Sequence, residues 1–332
     1  MSLSVHEITD LRDLASLEEE WRELWERASG VSPFQRPEWI LAWCRHTPGT
    51  RIWSLAVRAR GRLVGLAPWL LYVDEGTTTV GFLAGGVSDY HDVIADAEMR
   101  TEVGRALFAH LDGRRELWGA CHFEELGEKA ALCDLRAPPG CDEIWVDASP
   151  CPRIDVPAPA LPLSSAVPSR QLARFRKYRR RLEARGALAI EVAPPREGCA
   201  VLREILRHHA ARWTARCPAA VVGDSLRSFH EEVVAAMRGP SCEVELLRMT
   251  AGGCGVAWLY AFRARGTLYC YMQAFDPAFA HESPGLVLVG AALERAHSGA
   301  LDTVDFLRGD EPYKLAWGAR SAPNVTRRIV RR

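Results

Sequence analysis

The densest chemistry in this sequence lies in seven residues, Arg308 to Lys314, RGDEPYK. Arg308, Asp310, Glu311, Tyr313 and Lys314 all ionise or donate protons, and they follow an apolar run, TVDFL, that reads as a strand. Charged groups at a strand end are placed for proton transfer or ligand binding more often than charges on an exposed helix face. The other reading is a solvated loop closed by an internal ion pair. Lysine usage counts against it: of 42 basic residues only Lys129, Lys177 and Lys314 are lysines. An arginine serves a surface ion pair, whereas a lysine is a compact point charge whose pKa shifts readily.

A second feature precedes this block. Thr267–Ala274 reads as a strand, PAFAHESPG as a loop, and Pro284–His297 as a helix. A helix opening at Ser283-Pro284-Gly285 presents free N–H groups and the positive end of its dipole. Proline there forfeits no hydrogen bond, and glycine lets a ligand approach the backbone. Such a start suits a phosphate or pyrophosphate. Many strand-loop-helix units begin the same way and bind nothing, so the motif is weak alone.

The elements that must position these residues follow from periodicity. Leu11–Arg27 reads as one amphipathic helix, with Leu14, Leu17, Trp21, Leu24 and Trp25 on one face. A helix opens after Pro37. Ile52–Arg58, Leu63–Tyr72 and Thr78–Leu83 read as strands, Glu98–Leu111 as a helix, and Leu117–Glu125 and Glu143–Val146 as further strands. Pro150 to Pro168 holds six prolines and reads as an inter-domain connector. After it, Ser169–Arg185 reads as a helix with Ser169 as N-cap and Gly186 just past its end. Leu188–Val192 is a strand, Gly198–Thr214 and Ser225–Arg238 are helices, and Val244–Met249 and Val256–Arg263 are strands before Thr267. Hairpin, strand and helix thus recur in one order in both halves, which suggests a duplication of topology.

Composition bounds the function. The chain has 332 residues, 48% hydrophobic and 25% charged, which fits two folded domains and excludes disorder. No apolar run approaches the ~20 residues of a membrane span. Met1–Asp10 lacks the basic and apolar regions of a secretory signal, so a cytoplasmic location is expected. The ten cysteines form no CxxC pair, so neither a metal site nor a disulfide scaffold is expected. The zero net charge conceals an asymmetry: residues 1–150 hold 15 basic and 25 acidic residues, and residues 151–332 hold 27 and 17. In Ser169–Arg185 eight of seventeen residues are basic, with Arg174, Lys177 and Arg181 on one face. That face suits an anionic donor, an acidic carrier protein or transfer RNA, or is a solvated surface.

At this point the sequence resembles a family. FDPAFAHESPGLVLVGAALERAHSGALDTVDFLRGDEPYKLAWGA is similar to the C-terminal signature of the CelD-like (BioF2-like) acyltransferases. These belong to the GNAT N-acyltransferase superfamily and share their architecture with the FemAB peptidyltransferases. Weaker likenesses lie in SPFQRPEW (Ser32–Trp39), SDYHD (Ser88–Asp92), the basic segment, HAARW (His209–Trp213) and Phe229-His230, so the resemblance spans nearly the whole chain.

The resemblance implies an α/β fold of tandem GNAT-like domains, each a mixed, mostly antiparallel sheet flanked by helices. The expected divisions are 1–149, an acidic acceptor-side domain; 150–168, the connector; and 169–332, a basic donor-side domain. It implies an N-acyltransferase that moves an acyl group, other than an aminoacyl group, from a thioester to an amine of a small molecule, amino sugar or peptide. The co-substrate is acyl-CoA or the phosphopantetheine arm of an acyl carrier protein. The family's usual Gly-rich, Arg-containing donor loop is replaced by HESPG, which leaves those two donors open. Donor contacts fall to Gln273, His281, Ser283, Gly285 and Arg308. Catalytic roles are shared among Asp305, Asp310 and Glu311 as base, Tyr313 as proton donor to the leaving thiolate, and Lys314. Asp89, Tyr90 and Asp92 are acceptor-side candidates. The alternatives are a FemAB-like aminoacyl-tRNA-dependent transferase, with transfer RNA on the basic helix, and a catalytically degenerate GNAT binding module.

Overall fold

Four tight turns shape the sheets. Arg60-Gly61, Glu75-Gly76, Gly252-Gly253 and Arg265-Gly266 all have φ between 48° and 84°. Paired positive φ values are the type I′ geometry whose twist matches that of two antiparallel strands. The computed structural model describes residues 2–214 and 223–332; the side chains of residues 211–214, including Trp213 of the HAARW segment, lie outside the described residues. The chain divides by contact into unit 1, Met1–Ser149 with Ala322–Arg332, and unit 2, Pro150–Ser321.

Unit 1 opens with β1 (Leu3–Ile8), α1 (Leu11–Ser16), α2 (Glu18–Arg27) and α3 (Pro37–His46). The single helix expected over 11–27 is two helices that meet at Leu17. The hairpins β2 (Ser54–Ala59)–β3 (Arg62–Ala67) and β4 (Trp69–Asp74)–β5 (Thr77–Phe82) follow. The strand expected over 63–72 is broken at Pro68, which has no N–H for a ladder. Then come β6 (Ile94–Ala95), α4 (Arg100–Gly113), β7 (Ala120–Leu126) and β8 (Cys141–Asp155). Trp53, Trp69, Trp118, Phe82 and Phe123 fill the core.

Unit 2 contains α5 (Ser169–Glu183), β9 (Leu188–Val192), α6 (Gly198–Thr214), α7 (Asp224–Ala236), β10 (Arg238–Gly239), β11 (Cys242–Ala251), β12 (Cys254–Ala264), β13 (Thr267–Phe275), α8 (Pro284–Ser298), β14 (Thr303–Asp305) and α9 (Pro312–Ala316). The final strand, β15 (Arg320–Arg331), pairs antiparallel with β7 of unit 1. In unit 2, β11, β12 and β13 are antiparallel neighbours, β14 runs parallel to β13, and Arg153–Asp155 of β8 pairs antiparallel with β14. Apolar side chains of α5 and α8 pack on the β12–β13 face through Phe175, Leu182, Val287 and Leu288.

Three expectations need revision. The connector begins as strand: Pro150 and Pro152 offer their carbonyls to the N–H groups of Gly309 and Phe306. Proline can accept in a ladder although it cannot donate, so alternate prolines are tolerated there. Residues 322–332 were assigned by sequence to the second domain and cluster instead with unit 1. Ser169 is also the first helical residue rather than the cap, which is Pro168.

Candidate active site

The parallel pairing of β13 with β14 is short. It covers Thr267↔Thr303, Leu268↔Val304 and Tyr269↔Asp305. Beyond Asp305 the chain turns toward the carbonyls of Pro152 and Pro150. A bulge opposite Tyr260/Ala261 shifts the register of β13 at the same level. The two strands therefore separate, and residues 270–275 make no ladder with β14 among the described residues. Gln273 lies on this stretch, and its Nε2 is buried with no hydrogen-bond partner among the described residues. A buried donor left unpaired costs about 1–3 kcal/mol, which a bound carbonyl offsets.

β13 leads into the donor-loop candidate. Asp276 accepts from the Ala278 N–H at 2.9 Å and fixes the first turn. Ser283 takes a left-handed conformation, φ 49°, and Pro284 starts α8. Gly285 is open on its Cα side except for Phe275 at 3.9 Å. In the first turn of this 15-residue helix the Leu286 and Val287 N–H groups donate to the Ser283 carbonyl, which leaves the Gly285 N–H and the positive end of the dipole at an uncrowded glycine. His281 is exposed. Glu282 pairs with Arg185 at 3.1 Å, and Arg185 also lies over the Phe279 ring. The loop itself contains no lysine or arginine.

The DFLRGDEPYK segment divides into residues that hold it and residues it presents. Lys314 is 3% exposed. Its Nζ donates to the carbonyl of Arg308 at 2.6 Å and to those of Leu307 and Gly309 at 3.4 Å, and lies 2.8 Å from Glu311 Oε2. Asp305 is buried, and its Oδ1 accepts from the Leu307 N–H at 2.7 Å. Leu307 sits at φ 56° and Gly309 at φ 119°, and a Cβ at 309 would overlap the Glu311 carboxylate. A leucine at positive φ is strained, and the bond from its N–H to Asp305 together with the bond from Lys314 to its carbonyl offsets that strain. Lys314 is thus enclosed by its own loop, and its ammonium is committed to that loop. Asp310 is exposed and Tyr313 is 38% exposed, edge-on to Phe306. Arg308, ahead of both in sequence, is half-buried. Burial, aided by the charge of Asp305, pushes the Cys270 thiol up to about 12, so it offers no thiolate nucleophile.

The acceptor-side candidates lie in unit 1. Asp92 is buried, and its carboxylate accepts from the N–H groups of Val93, Ala131 and Leu132. It is committed to holding its own fold. The Asp89 carbonyl accepts from Asn324 Nδ2 at 3.0 Å, and Tyr90 packs by Phe34. Neither the sequence signal nor the geometry gathers these three carboxylate and phenol groups into one open pocket within unit 1. Arg174, Lys177 and Arg181 are exposed on α5, and the last two cover the Tyr178 ring. His208 stacks on Trp258, and His230 is buried against Tyr260 and Tyr271. These histidines are packed residues. Sequence reasoning missed Arg185 and Glu282 as a pair; only the fold brings the end of α5 to the loop before α8. Among the described residues no group of metal-ligating side chains occurs, and no helix is long and apolar enough to cross a membrane.

The splayed parallel strands, the helix opening beside them and the mixed antiparallel sheet flanked by helices define a GNAT-like α/β fold, present here in tandem. Residues 169–315, most of unit 2, match the family described as an acetyltransferase (GNAT) domain. Among solved structures the chain is similar to FemX, with TM-score 0.64 and 14% identity over 98% of this chain and 96% of that one. It is similar to L-PGS from Bacillus licheniformis, with TM-score 0.59 and 11% identity over 94% and 91%. A conserved protein of unknown function from Bacteroides thetaiotaomicron VPI-5482 aligns with TM-score 0.56 and 12% identity over 99% and 100%. A search of curated sequences returned no match. These likenesses establish the shared fold of the whole chain and an acyltransferase-type domain in its second unit.

Proposed function

We propose that this chain is an N-acyltransferase that moves an acyl group from a thioester to an amine, with unit 2 as the donor side and unit 1 as the acceptor side. The observation that carries this reading is the early end of the β13–β14 ladder at Tyr269–Asp305, opening a backbone edge toward the α8 N-terminus. A pantetheine arm can lie along that edge, with its amides meeting the β13 backbone and Gln273 Nε2, and its phosphate near Ser283–Gly285. In the reaction a carboxylate, for which exposed Asp310 is best placed, takes a proton from the ammonium, directly or through water. The amine attacks the thioester carbonyl, whose oxyanion is met by β13 N–H groups. The C–N bond forms and the C–S bond breaks as Tyr313 gives a proton to the thiolate and regains one, directly or through water, from the attacking nitrogen. Lys314, Asp305 and Glu311 position the loop. The acceptor is a small-molecule amine, an amino sugar or a peptide amine.

A second reading is favoured by the likeness in shape to FemX: a FemAB-like transfer of an aminoacyl group. The two are separated by incubating the protein with S-acyl-pantetheine or acyl-CoA and a panel of amines, and measuring thiol release. Release is expected, with Asp310→Asn and Tyr313→Phe lowering kcat by about 10²-fold or more. Unchanged turnover in both variants overturns the residue assignment. Turnover only with aminoacyl-tRNA overturns the thioester reading.

A further inference from the structure

The surface of α5 carries more positive charge than its own unit neutralises. Arg170, Arg174, Arg176, Lys177, Arg180 and Arg181 are all exposed. None of the six makes a salt bridge among the described residues; Arg179 and Arg185 take the nearby carboxylates Glu183, Glu294 and Glu282. Six unpaired cations over twelve residues repel one another, and at 1.5 Å per residue they extend over about 16 Å. That is a long convex strip and not a pocket, whereas small ligands take concave sites.

Position decides what the strip faces. The apolar side of α5 is spent on α8: Phe175 lies directly against Gly290, with Leu172 and Leu182 buried beside it. The end of α5 reaches the donor loop through Arg185, which pairs with Glu282 and covers Phe279. The loop holds Asp276 and Glu282 and no lysine or arginine of its own, and Arg185 is already paired with Glu282. Free coenzyme A brings a diphosphate and a further phosphate, and would need cations at that loop. A carrier-bound pantetheine arm brings one phosphodiester, which a helix N-terminus can meet alone.

Resting on the thioester reading, we infer that the exposed basic face of α5 is the docking surface for an acidic acyl carrier protein. The carrier docks on the strip and delivers its acylated arm past Arg185 to Ser283–Gly285. Charge complementarity selects this occupant. RNA is disfavoured because the strip presents no exposed aromatic for base stacking; Tyr178 is half-buried under Lys177 and Arg181. Membrane insertion is disfavoured because the bulky apolar residues of α5 already face the unit's core.

The test uses the full chain and a fluorescently labelled, acyl-loaded acidic acyl carrier protein, with S-acyl-pantetheine as the small thioester. The wild-type protein is expected to bind the carrier with an affinity that falls as salt rises. The triple variant Arg174→Glu, Lys177→Glu, Arg181→Glu is expected to bind it about tenfold more weakly or worse. Its affinity for S-acyl-pantetheine and its melting temperature should match wild type. Carrier binding that is absent or equal in both proteins, with S-acyl-pantetheine still bound, overturns the docking surface and leaves the thioester reading standing. Binding of neither carrier nor S-acyl-pantetheine overturns both. Displacement of bound carrier by transfer RNA or by phosphatidylglycerol vesicles at lower concentration than by excess carrier assigns the strip to that competitor and overturns the inference.

Discussion

At the scale of single residues, burial separates groups that react from groups that hold. Lys314 is the clearest case. Its type and place in RGDEPYK suggested a reacting cation, yet its ammonium is spent on three carbonyls and Glu311. Sequence could not show this, because a lysine is almost never fully buried. His230 is a second buried group, and it gives the protein a pH dependence. Burial, with a smaller push from His209, lowers its pKa from the usual 6.5 to about 3. Between those values the unfolded chain holds a proton that the folded chain does not. Folding stability from this residue is therefore complete above about pH 6.5 and is lost as pH falls toward 3, by up to about 1.4 kcal/mol per pH unit. His230→Phe keeps a ring among Tyr260 and Tyr271 but cannot be charged. Urea midpoints measured from pH 7 to pH 4.5 should fall less steeply for the variant; parallel curves would show that His230 is already protonated in the folded state.

At the scale of elements, most of the fold was legible and the breaks were not. Arg60-Gly61 and Arg265-Gly266 mark hairpins because the glycine suits the second, positive-φ position of a type I′ turn. The α8 start was legible from Ser283-Pro284-Gly285, and β13 and β14 from their apolar runs. The separation of β13 from β14 is not written in the apolar periodicity, since it depends on where a ladder stops. The helix α9 is not legible in the sequence, because it has five residues and begins at Pro312. The strand at Pro150–Asp155 was hidden by its prolines. Gly290 shows a tertiary demand overriding local preference. Alanine in mid-helix is worth about 0.5–1 kcal/mol over glycine, yet a Cβ at 290 would overlap the Phe175 ring. Gly290→Ala should therefore lower the melting temperature, although it raises helix propensity. Gly290→Ala combined with Phe175→Ala should be less destabilising than the sum of the two singles, because the second change removes the clash. Strict additivity would mean that α5 does not pack on α8 through this ring.

At the scale of the whole molecule, chain order and unit membership disagree, and the charge asymmetry changes with them. With Arg327, Arg328, Arg331 and Arg332 counted in unit 1, that unit holds 19 basic and 25 acidic residues and unit 2 holds 23 and 17. The imbalance falls to −6 and +6, and α5 accounts for most of what remains. The last strand is also the keystone of the first unit. Ile329 and Val330 pair with Cys121 and Ala120. Arg327 is fully buried: it donates to Glu143 Oε1 at 2.6 Å and to the carbonyls of Leu132 and Leu135, with Phe108 and Trp145 near its guanidinium. Asn324 joins the Asp89 carbonyl to the Glu125 carboxylate. Removing β15 would leave β7 an open edge and take one bonded partner each from the Glu125 carboxylate and the Asp89, Leu132 and Leu135 carbonyls, at a cost of about 1–3 kcal/mol for each group left unpaired. Unit 2 takes the partner of β14 from Arg153–Asp155 and keeps it when the C-terminus is cut. A chain stopped after Ala319 should therefore lose amide protection across residues 3–149 while β11, β12, β13 and α8 keep theirs, as hydrogen exchange would read. A synthetic peptide of residues 320–332 should restore part of the lost protection. If residues 3–149 stay protected in the truncated chain, β15 is an accessory strand and unit 1 folds without it.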